Sequence, residues 1–320
     1  MSVLKQIKSA VKHHATFHSQ GTDKNIFFFS MPRSGTTWLM EMIATQPGFK
    51  VINEPFNLRK EVVREHLGLE RWESLFEEES LPKIADYVQQ FMDGRDTDLR
   101  FFRYAPFSEF WKLRTHRVLF KILFVGEGYF DWFAEMFNGE VIYLLRHPIP
   151  VSQSRESLPR LASFRHSPYS QHFSAEQLAV ADRVMARGDA YEQAVLDWCF
   201  QNAVPLRQMK PEWLTLSYEQ MVLEPEKVIA EMVRRYGFEQ PEQMYSRVHK
   251  ASNSTAKSNG ESKAVLLDPQ KMHENRRWLV EKWAKKATQD QIDKTFYLLE
   301  VFGIDFYEKG SFLPKANYLI

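Results

Sequence analysis

Hydrophobic residues fall into short continuous runs, separated by stretches in which apolar positions recur every three or four residues. The continuous runs predict buried strands, and they cover residues 26–29, 49–52, 118–125, 140–145 and 213–216. The periodic stretches predict amphipathic helices, and they include residues 131–137 (closed by Gly139), 149–160, 175–204, 225–236 and 276–302. This alternation predicts one α/β domain with a central, mainly parallel sheet flanked by helices. We assign it to residues 26–320, after an N-terminal extension or helix at residues 1–25.

A polar turn follows the first predicted strand and leads into a helix. The turn has the sequence SMPRSG, and Thr36, Thr37 and Trp38 begin the helix. Free N–H groups at a helix N-terminus favour an anion, and Arg33 adds a positive charge beside them. Ser34 and the two threonines add hydroxyl donors. The turn therefore predicts an anion-binding loop, although the same hydroxyls are also typical of ordinary helix N-caps.

Charged side chains accompany the other predicted strands. Glu54 follows the second strand, Lys121 interrupts the third, Arg146 follows the fourth, and Ser154 comes eight residues after Arg146 in the next helix. Ligands bind at the carboxyl ends of parallel strands, so we expect these side chains near the loop. The alternatives are a surface or capping glutamate, a snorkelling surface lysine, and a capping arginine with an incidental serine.

Composition narrows the classes of function. A chain of 320 residues with 44% hydrophobic and 26% charged residues is typical of a globular protein, and its net charge of +1 does not indicate nucleic-acid binding. The single cysteine, Cys199, excludes an intrachain disulfide and is predicted to be buried. No apolar run approaches the ~20 residues that span a bilayer. Residues 1–20 lack the apolar core of a secretory signal, so we predict a cytoplasmic protein.

Several polar or aromatic segments have more than one interpretation. Residues 161–174, which contain His166 and His172, are predicted to form a mobile loop over a site, without the spacing of a metal site. Residues 252–262 favour a flexible linker or a loop that closes on a polyanion. The aromatic segment 101–111 is a candidate for an acceptor pocket or for ordinary core, and the segment 129–137 is a second candidate for the acceptor pocket. Residues 2–11 fit a short amphipathic helix, packed on the domain or at a membrane surface.

Together these motifs resemble the sulfotransferases that use 3′-phosphoadenosine-5′-phosphosulfate (PAPS). Residues 32–38, PRSGTTW, resemble that family's 5′-phosphosulfate loop, and Arg146 with Ser154 resembles its 3′-phosphate pair. Tyr218, in the sequence SYEQM, resembles the segment near the adenine. The loop arginine, the sequence NEP around Glu54 and the Ser/Thr-rich segment after residue 251 are similar to the bacterial and carbohydrate-type branch. The Lys-Thr-His and RKG…GDWK segments of the phenol and steroid enzymes are missing.

The resemblance implies a P-loop-like three-layer fold and in-line transfer of a sulfuryl group from PAPS, without a metal. The acceptor would be a hydroxyl or amine of a small molecule or carbohydrate, and the product adenosine 3′,5′-bisphosphate (PAP). The implied donor-binding residues are Arg33, Ser34, Gly35, Thr36, Thr37, Trp38, Arg146, Ser154 and Tyr218. Arg33 and Lys121 would supply catalytic charge. A homodimer is a further expectation.

The resemblance leaves the catalytic base and the acceptor open. Glu54 is the first candidate for the base, with a pKa raised by partial burial, and His166 and His172 are the alternatives. The acceptor could be a lipid, a polyketide, an aromatic compound or a sugar.

Two rival functions remain at the level of sequence. A P-loop kinase acting on a small molecule would need the G-x-x-x-x-G-K-[ST] pattern, which the sequence lacks, and an acidic Mg²⁺ ligand. A nucleotide-binding protein without catalysis would not need Glu54.

Overall fold

A computed structural model describes residues 15–96, 111–252 and 268–320, together with Ile7, Val11 and Lys12. The helix predicted at residues 2–11, the aromatic segment 101–111 and the polar segment 252–262 lie almost wholly outside these residues.

Within the described residues, five parallel strands form the central sheet, and two further strands form a separate parallel pair. In chain order the strands are β1 (Phe17–His18), β2 (Asn25–Ser30), β3 (Phe49–Asn53), β4 (Arg114–Thr115), β5 (Arg117–Ile122), β6 (Gly139–Leu145) and β7 (Leu214–Ser217). The order in the central sheet is β3-β5-β2-β6-β7, and β1 pairs with β4. Each predicted hydrophobic run contributes a strand to this sheet, although residues 123–125 of the third run lie beyond the end of β5. The predicted α/β class with a parallel sheet is therefore confirmed.

Helices connect the strands. In chain order they are α1 (Thr36–Ile43), α2 (Glu61–Leu67), α3 (Leu81–Met92), α4 (Phe130–Met136), α5 (Pro148–Gln153), α6 (Leu161–His166), α7 (Ala175–Arg187), α8 (Ala190–Arg207), α9 (Tyr218–Leu223), α10 (Pro225–Tyr236), α11 (Pro241–Val248), α12 (Pro269–Glu274), α13 (Arg276–Glu281) and α14 (Gln289–Val301). Short 3₁₀ turns lie at Glu73–Phe76, Glu78–Ser80, Pro168–His172, Lys282–Lys285 and Ala316–Tyr318.

The helices cover both faces of the sheet because the central strands are apolar on both sides. In β2, Phe27 and Phe29 pack into one hydrophobic core, whereas Ile26 and Phe28 pack into the other. The first core receives α3, α4 and α8, and the second receives α1, α10 and α11. Burying each such side chain contributes about 1.5–3 kcal/mol. The result is the predicted three-layer arrangement.

Some predicted boundaries were wrong. The segment 149–160 is helical only in α5, and Ser154 is the residue that ends this helix rather than part of it. The segment 175–204 divides at Gly188, because Asp189 caps a new helix by accepting a hydrogen bond from the Glu192 N–H at 2.8 Å. The segment 276–302 likewise divides into α13, a 3₁₀ turn and α14. The turn before β6 is made by Asn138, with φ of 45°, and Gly139 belongs to the strand.

Two segments predicted to serve a pocket are instead part of the packed structure. Residues 161–174 contain helix α6 and a 3₁₀ turn, and the buried Tyr169 donates a hydrogen bond to the Phe200 carbonyl at 2.9 Å. The prediction of a mobile loop was therefore wrong. In residues 129–137, Phe130 and Phe133 pack on Phe29 in the core, so these two rings do not line an acceptor pocket.

Cys199 is fully buried, as predicted, and burial raises the pKa of its thiol. Of the helices that the structure describes, none combines the length and the hydrophobicity needed to cross a membrane.

Candidate active site

The candidate site lies at the carboxyl edge of the sheet. Register places Ser30 of β2 beside Leu144 of β6, and Asn53 of β3 beside Lys121 of β5. The chain between β2 and β3 runs to one side of β2, and β6 and β7 lie on the other side. The loop after β2 therefore lies where the strand order reverses, which is the usual ligand crevice of such sheets.

Backbone geometry makes the loop after β2 suited to an anion. Arg33 and Gly35 have φ of 75° and 81°, in the left-handed region. A Cβ at Gly35 would lie 2.4 Å from Cδ2 of Tyr218, so only glycine fits there. Gly35 is itself the N-cap of α1, and no side chain of the described residues caps the helix. The interpretation of Ser34 and the threonines as N-caps was wrong. The Trp38 N–H donates to the Gly35 carbonyl at 3.0 Å, which leaves the N–H groups of Thr36 and Thr37 for a ligand.

Unpartnered polar atoms around the loop fit a bound phosphosulfate. Ser34 Oγ, Trp38 Nε1 and Arg146 Nε are buried, and they have no hydrogen-bond partner among the residues described. Buried polar groups normally have partners, and each exception calls for an explanation. Arg33 is exposed and forms no ion pair within the described ranges. Ser34 belongs to the loop and Arg146 contacts it, so a free hydroxyl, a free guanidinium N–H and the charge of Arg33 are at hand for an anionic ligand.

Lys121 joins the loop to Glu54. Its Nζ, only 2% exposed, donates to Thr37 Oγ1 at 3.3 Å and to Glu54 Oε1 at 3.1 Å. The backbone N–H of Glu54 donates to the Lys121 carbonyl at 2.8 Å, and Glu54 has a left-handed φ of 57°. Left-handed non-glycine residues often occur at functional sites. The predicted position of Lys121 at the ligand edge thus agrees with the structure, and the snorkelling alternative does not.

The pKa of Glu54 differs from the prediction. Burial alone raises the pKa of this carboxyl, but the charge and hydrogen bond of Lys121, with the charge of Lys60 and a hydrogen bond from Asn57, lower it below its usual value. The raised pKa predicted from partial burial was therefore wrong, because a buried cation touches the carboxylate. Glu54 is ionised at neutral pH and can accept a proton.

Arg146 brings the second predicted motif against the first. Its Nη1 donates to the Arg33 carbonyl at 2.7 Å, and its guanidinium lies over the Tyr218 ring, 4.2 Å from the centroid. Ser154 is half-buried at the end of α5, where its Oγ donates to the Val151 carbonyl at 2.8 Å. Arg146, Tyr218 and the loop form one continuous surface.

Comparison with known families identifies the family of this chain. Residues 25–242 match the model of the sulfotransferase family. The chain belongs to that family. The match includes every site residue described above and confirms the predicted family. Among curated proteins, none matches the sequence significantly.

Solved sulfotransferase structures resemble this sulfotransferase at low sequence identity. The sulfotransferase domain from the curacin biosynthetic pathway is 17% identical, with 89% of this chain and 99% of that chain covered and a TM-score of 0.46. The domain from the Synechococcus PCC 7002 olefin synthase is 20% identical, with 91% and 100% covered and a TM-score of 0.43. Mouse sulfotransferase SULT7A1, complexed with PAP, is 16% identical, with 94% and 90% covered and a TM-score of 0.41.

A buried network behind Arg146 was missed by the sequence analysis. Glu219 Oε1 accepts from the His147 N–H at 3.0 Å, and Glu219 Oε2 accepts from the Tyr307 hydroxyl at 2.8 Å. The His147 ring also stacks on Trp283, with ring centroids 4.5 Å apart. Glu219 lies within the SYEQM sequence and could have been found there. Tyr307 has no local signal, because its chain segment reaches the site only through the fold.

Loss of the Tyr307 hydroxyl should weaken donor binding in this sulfotransferase. In Tyr307→Phe the buried Glu219 carboxylate loses one partner, at a cost of about 1–3 kcal/mol, and the segment that carries Arg146 loosens. We expect the KM for PAPS to rise roughly tenfold, with kcat nearly unchanged. Steady-state kinetics with Tyr318→Phe as the matched control will test this, since Tyr318 bonds to Asp305 instead. A fall in kcat with an unchanged KM would contradict the positioning role.

His147 should make the stability of the protein depend on pH. Burial, with the nearby charge of Arg146, lowers its pKa from 6.5 to about 3. Between these values the unfolded chain binds a proton that the folded chain does not, so stability falls as pH decreases below 6.5. The slope is at most ~1.4 kcal/mol per pH unit. Urea unfolding at pH 7, 6 and 5 should show a steeper fall for the wild type than for His147→Phe. Parallel slopes would contradict this assignment.

The described contacts of the two histidines proposed as alternative bases lie away from the loop after β2. His166 is exposed near Asp182, and the His172 ring packs against Tyr169. No contact within the described ranges joins either imidazole to the loop or to Lys121. Glu54 is the candidate base that the structure brings to the loop.

Proposed function

We propose that this sulfotransferase transfers the sulfuryl group of PAPS to a hydroxyl or amine of a small-molecule or carbohydrate acceptor and releases PAP. The observation that carries the proposal is the 2.7 Å hydrogen bond from Arg146 to the Arg33 carbonyl. It links a helix N-terminal anion site to a second cation, a combination that suits a donor with phosphate groups at both its 5′ and 3′ positions.

Each donor-binding residue has a role in this proposal. Arg33, Ser34, Gly35, Thr36, Thr37 and Trp38 hold the 5′-phosphosulfate through backbone N–H groups, hydroxyls and charge, and Arg146 and Ser154 hold the 3′-phosphate. Tyr218 supports the Arg146 guanidinium by a cation–π contact and lies beside the adenosine. The PAP bound to the mouse sulfotransferase is consistent with this donor class.

The proposed reaction is an in-line displacement at sulfur. The loose transition state places negative charge on the sulfuryl oxygens and on the departing 5′-phosphate, so catalysis is mostly positioning and charge stabilisation. Arg33 and Lys121 supply the positive charge. The acceptor oxygen or nitrogen forms its bond to sulfur, the bond from sulfur to the 5′-phosphate oxygen breaks, and the acceptor proton passes to Glu54.

The contact between Lys121 and Glu54 couples these two events. Lys121 can reorient from the carboxylate toward the charge that develops on the sulfuryl group. Glu54 then loses the partner that lowers its pKa, and its affinity for the acceptor proton rises. A nucleotide-binding protein without catalysis has no need for this arrangement. We retain residues 26–320 as a single catalytic domain, and a homodimer, as parts of the proposal.

A search for sulfated products tests the proposal. The purified protein is incubated with ³⁵S-labelled PAPS and a small-molecule extract, and products are sought that carry both label and the mass of one added sulfonate group. Label should pass to an acceptor in step with PAP formation, and Arg33→Ala should abolish both. If the protein binds PAPS but no acceptor in polar, lipid or carbohydrate fractions gains label, the proposed transfer is wrong.

A further inference from the structure

Arg59 is a cation at the candidate site that donor binding does not use. It lies five residues after Glu54, in the connection that leaves the carboxyl end of β3. Its side chain is exposed, and its Nη2 donates to Ser157 Oγ at 3.0 Å. Within residues 15–96, 111–252 and 268–320, no carboxylate pairs with it. A hydroxyl contact leaves the charge of Arg59 unneutralised.

An apolar ring lies directly beneath this cation. Phe124 follows β5 by two residues, and the Arg59 guanidinium lies 6.0 Å from its centroid. Trp72 packs on Phe124 with centroids 5.5 Å apart, and Trp72 is only partly buried. Phe124 is only 5% exposed, so the aromatic surface that a ligand at Arg59 would meet is that of Trp72.

Other guanidinium groups lie near Arg59. Arg155 pairs with the buried Asp197 at 2.8 Å, and Arg160 pairs with Glu127. Burial lowers the pKa of Arg155, whereas the charge of Asp197 raises it. The charges of Arg160, Arg59 and Arg33 lower this pKa further. The guanidinium groups of Arg59, Arg155 and Arg33 are thus near one another, and only that of Arg155 has a described carboxylate partner.

We propose that Arg59, with Ser157 and Phe124, forms a subsite for a carboxylate or phosphate group on the acceptor. The acceptor class is then an anionic molecule whose apolar or aromatic part packs against Trp72, the ring that Phe124 supports, with its nucleophile directed to Glu54. This inference rests on the proposed function, because it assigns the acceptor side of the same site.

Sheet order places Arg59 and Arg146 on opposite sides of β2. Arg59 and Phe124 follow β3 and β5, on one side of β2, whereas Arg146 and Tyr218 follow β6 and β7, on the other side. Glu54 belongs to the same connection as Arg59. Ser157, however, lies three residues after Ser154, so the subsite borders the 3′-phosphate site through this serine, and the PAP affinity of Arg59→Gln is the measurement that separates the two.

Binding of small probes to the protein with and without saturating PAP tests the subsite. Titration calorimetry, or NMR for weak binding, compares 3-phenylpropionate and phenyl phosphate with the uncharged 3-phenylpropanol. We expect at least one of the two anionic probes to bind at least about tenfold more tightly than the alcohol. The reason is that hydrogen bonds between charged groups are stronger than those between neutral groups. The two anions distinguish a carboxylate subsite from a phosphate subsite.

Variants decide whether Arg59 is responsible. Arg59→Gln should abolish the preference for anions and leave PAP affinity unchanged, whereas Arg187→Gln, at an exposed arginine in α7, should change neither. Equal binding of charged and neutral probes, or a preference retained in Arg59→Gln, would overturn the inference. So would an equal loss of PAP affinity in Arg59→Gln, which would place Arg59 in the donor site. Failure of the wild type to bind PAP would refute the proposed function instead, and the titrations without PAP would still decide the subsite.

Discussion

Glu54→Gln is expected to lower kcat by about 100- to 10,000-fold while PAP affinity changes little. The amide fills the same space and can still accept a hydrogen bond from Lys121, but it cannot take the acceptor proton. Single-turnover transfer from labelled PAPS measures the loss of rate, and calorimetry with PAP measures donor binding.

The controls for Glu54→Gln separate catalysis from folding. Removing the charge of Glu54 leaves the buried Lys121 without its carboxylate, which destabilises the fold. Retained PAP binding shows that the site is intact in the variant. Glu61→Gln, at an exposed glutamate in the first turn of α2, should behave as wild type. Near-normal sulfation by Glu54→Gln would remove Glu54 from the role of base.

Arg146→Ala is expected to weaken PAPS binding roughly 100-fold and adenosine 5′-phosphosulfate binding much less. PAPS carries a 3′-phosphate, which loses its contact with Arg146 in the variant, whereas adenosine 5′-phosphosulfate has no 3′-phosphate. Arg146→Lys should lie between wild type and alanine for PAPS, because it keeps the charge but loses the planar group that stacks on Tyr218.

A general loosening of the loop is the main competing explanation for weaker PAPS binding by Arg146→Ala. The side chain also donates to the Arg33 carbonyl, so its removal could loosen the 5′ site as well. In that case both donors would weaken by the same factor. Equal losses for the two donors would therefore contradict the assignment of Arg146 to the 3′-phosphate.

The sheet and its site edge could be predicted from sequence because they depend on local patterns. Continuous apolar runs gave the strands, and the polar residues that follow them fall at the same edge in any parallel sheet. Arg33, Glu54 and Arg146 were found in this way. The N-cap alternative at Ser34 and Thr36 could be decided only by the left-handed backbone at Gly35, which is a matter of geometry rather than composition.

Features that depend on contacts between distant segments could not be predicted. The pKa of Glu54 is lowered because Lys121 contacts its carboxylate from the neighbouring strand. The sequence indicated only that Glu54 is partly buried, which by itself would raise the pKa. Tyr307 contacts Glu219 from the C-terminal part of the chain. The break between α7 and α8 escaped prediction because apolar periodicity continues through Gly188, and the competing Asp189 cap is a short polar signal.

Titration of the wild-type protein with PAP, AMP and ATP in the presence of Mg²⁺ tests the central claim most directly. The account assigns the loop after β2 to the 5′ end of the donor and Arg146 with Ser154 to its 3′-phosphate. PAP should therefore bind about 100-fold more tightly than AMP, with no dependence on Mg²⁺, and ATP should bind no better than AMP. Equal affinities for PAP and AMP, or tighter Mg²⁺-dependent binding of ATP, would contradict the account.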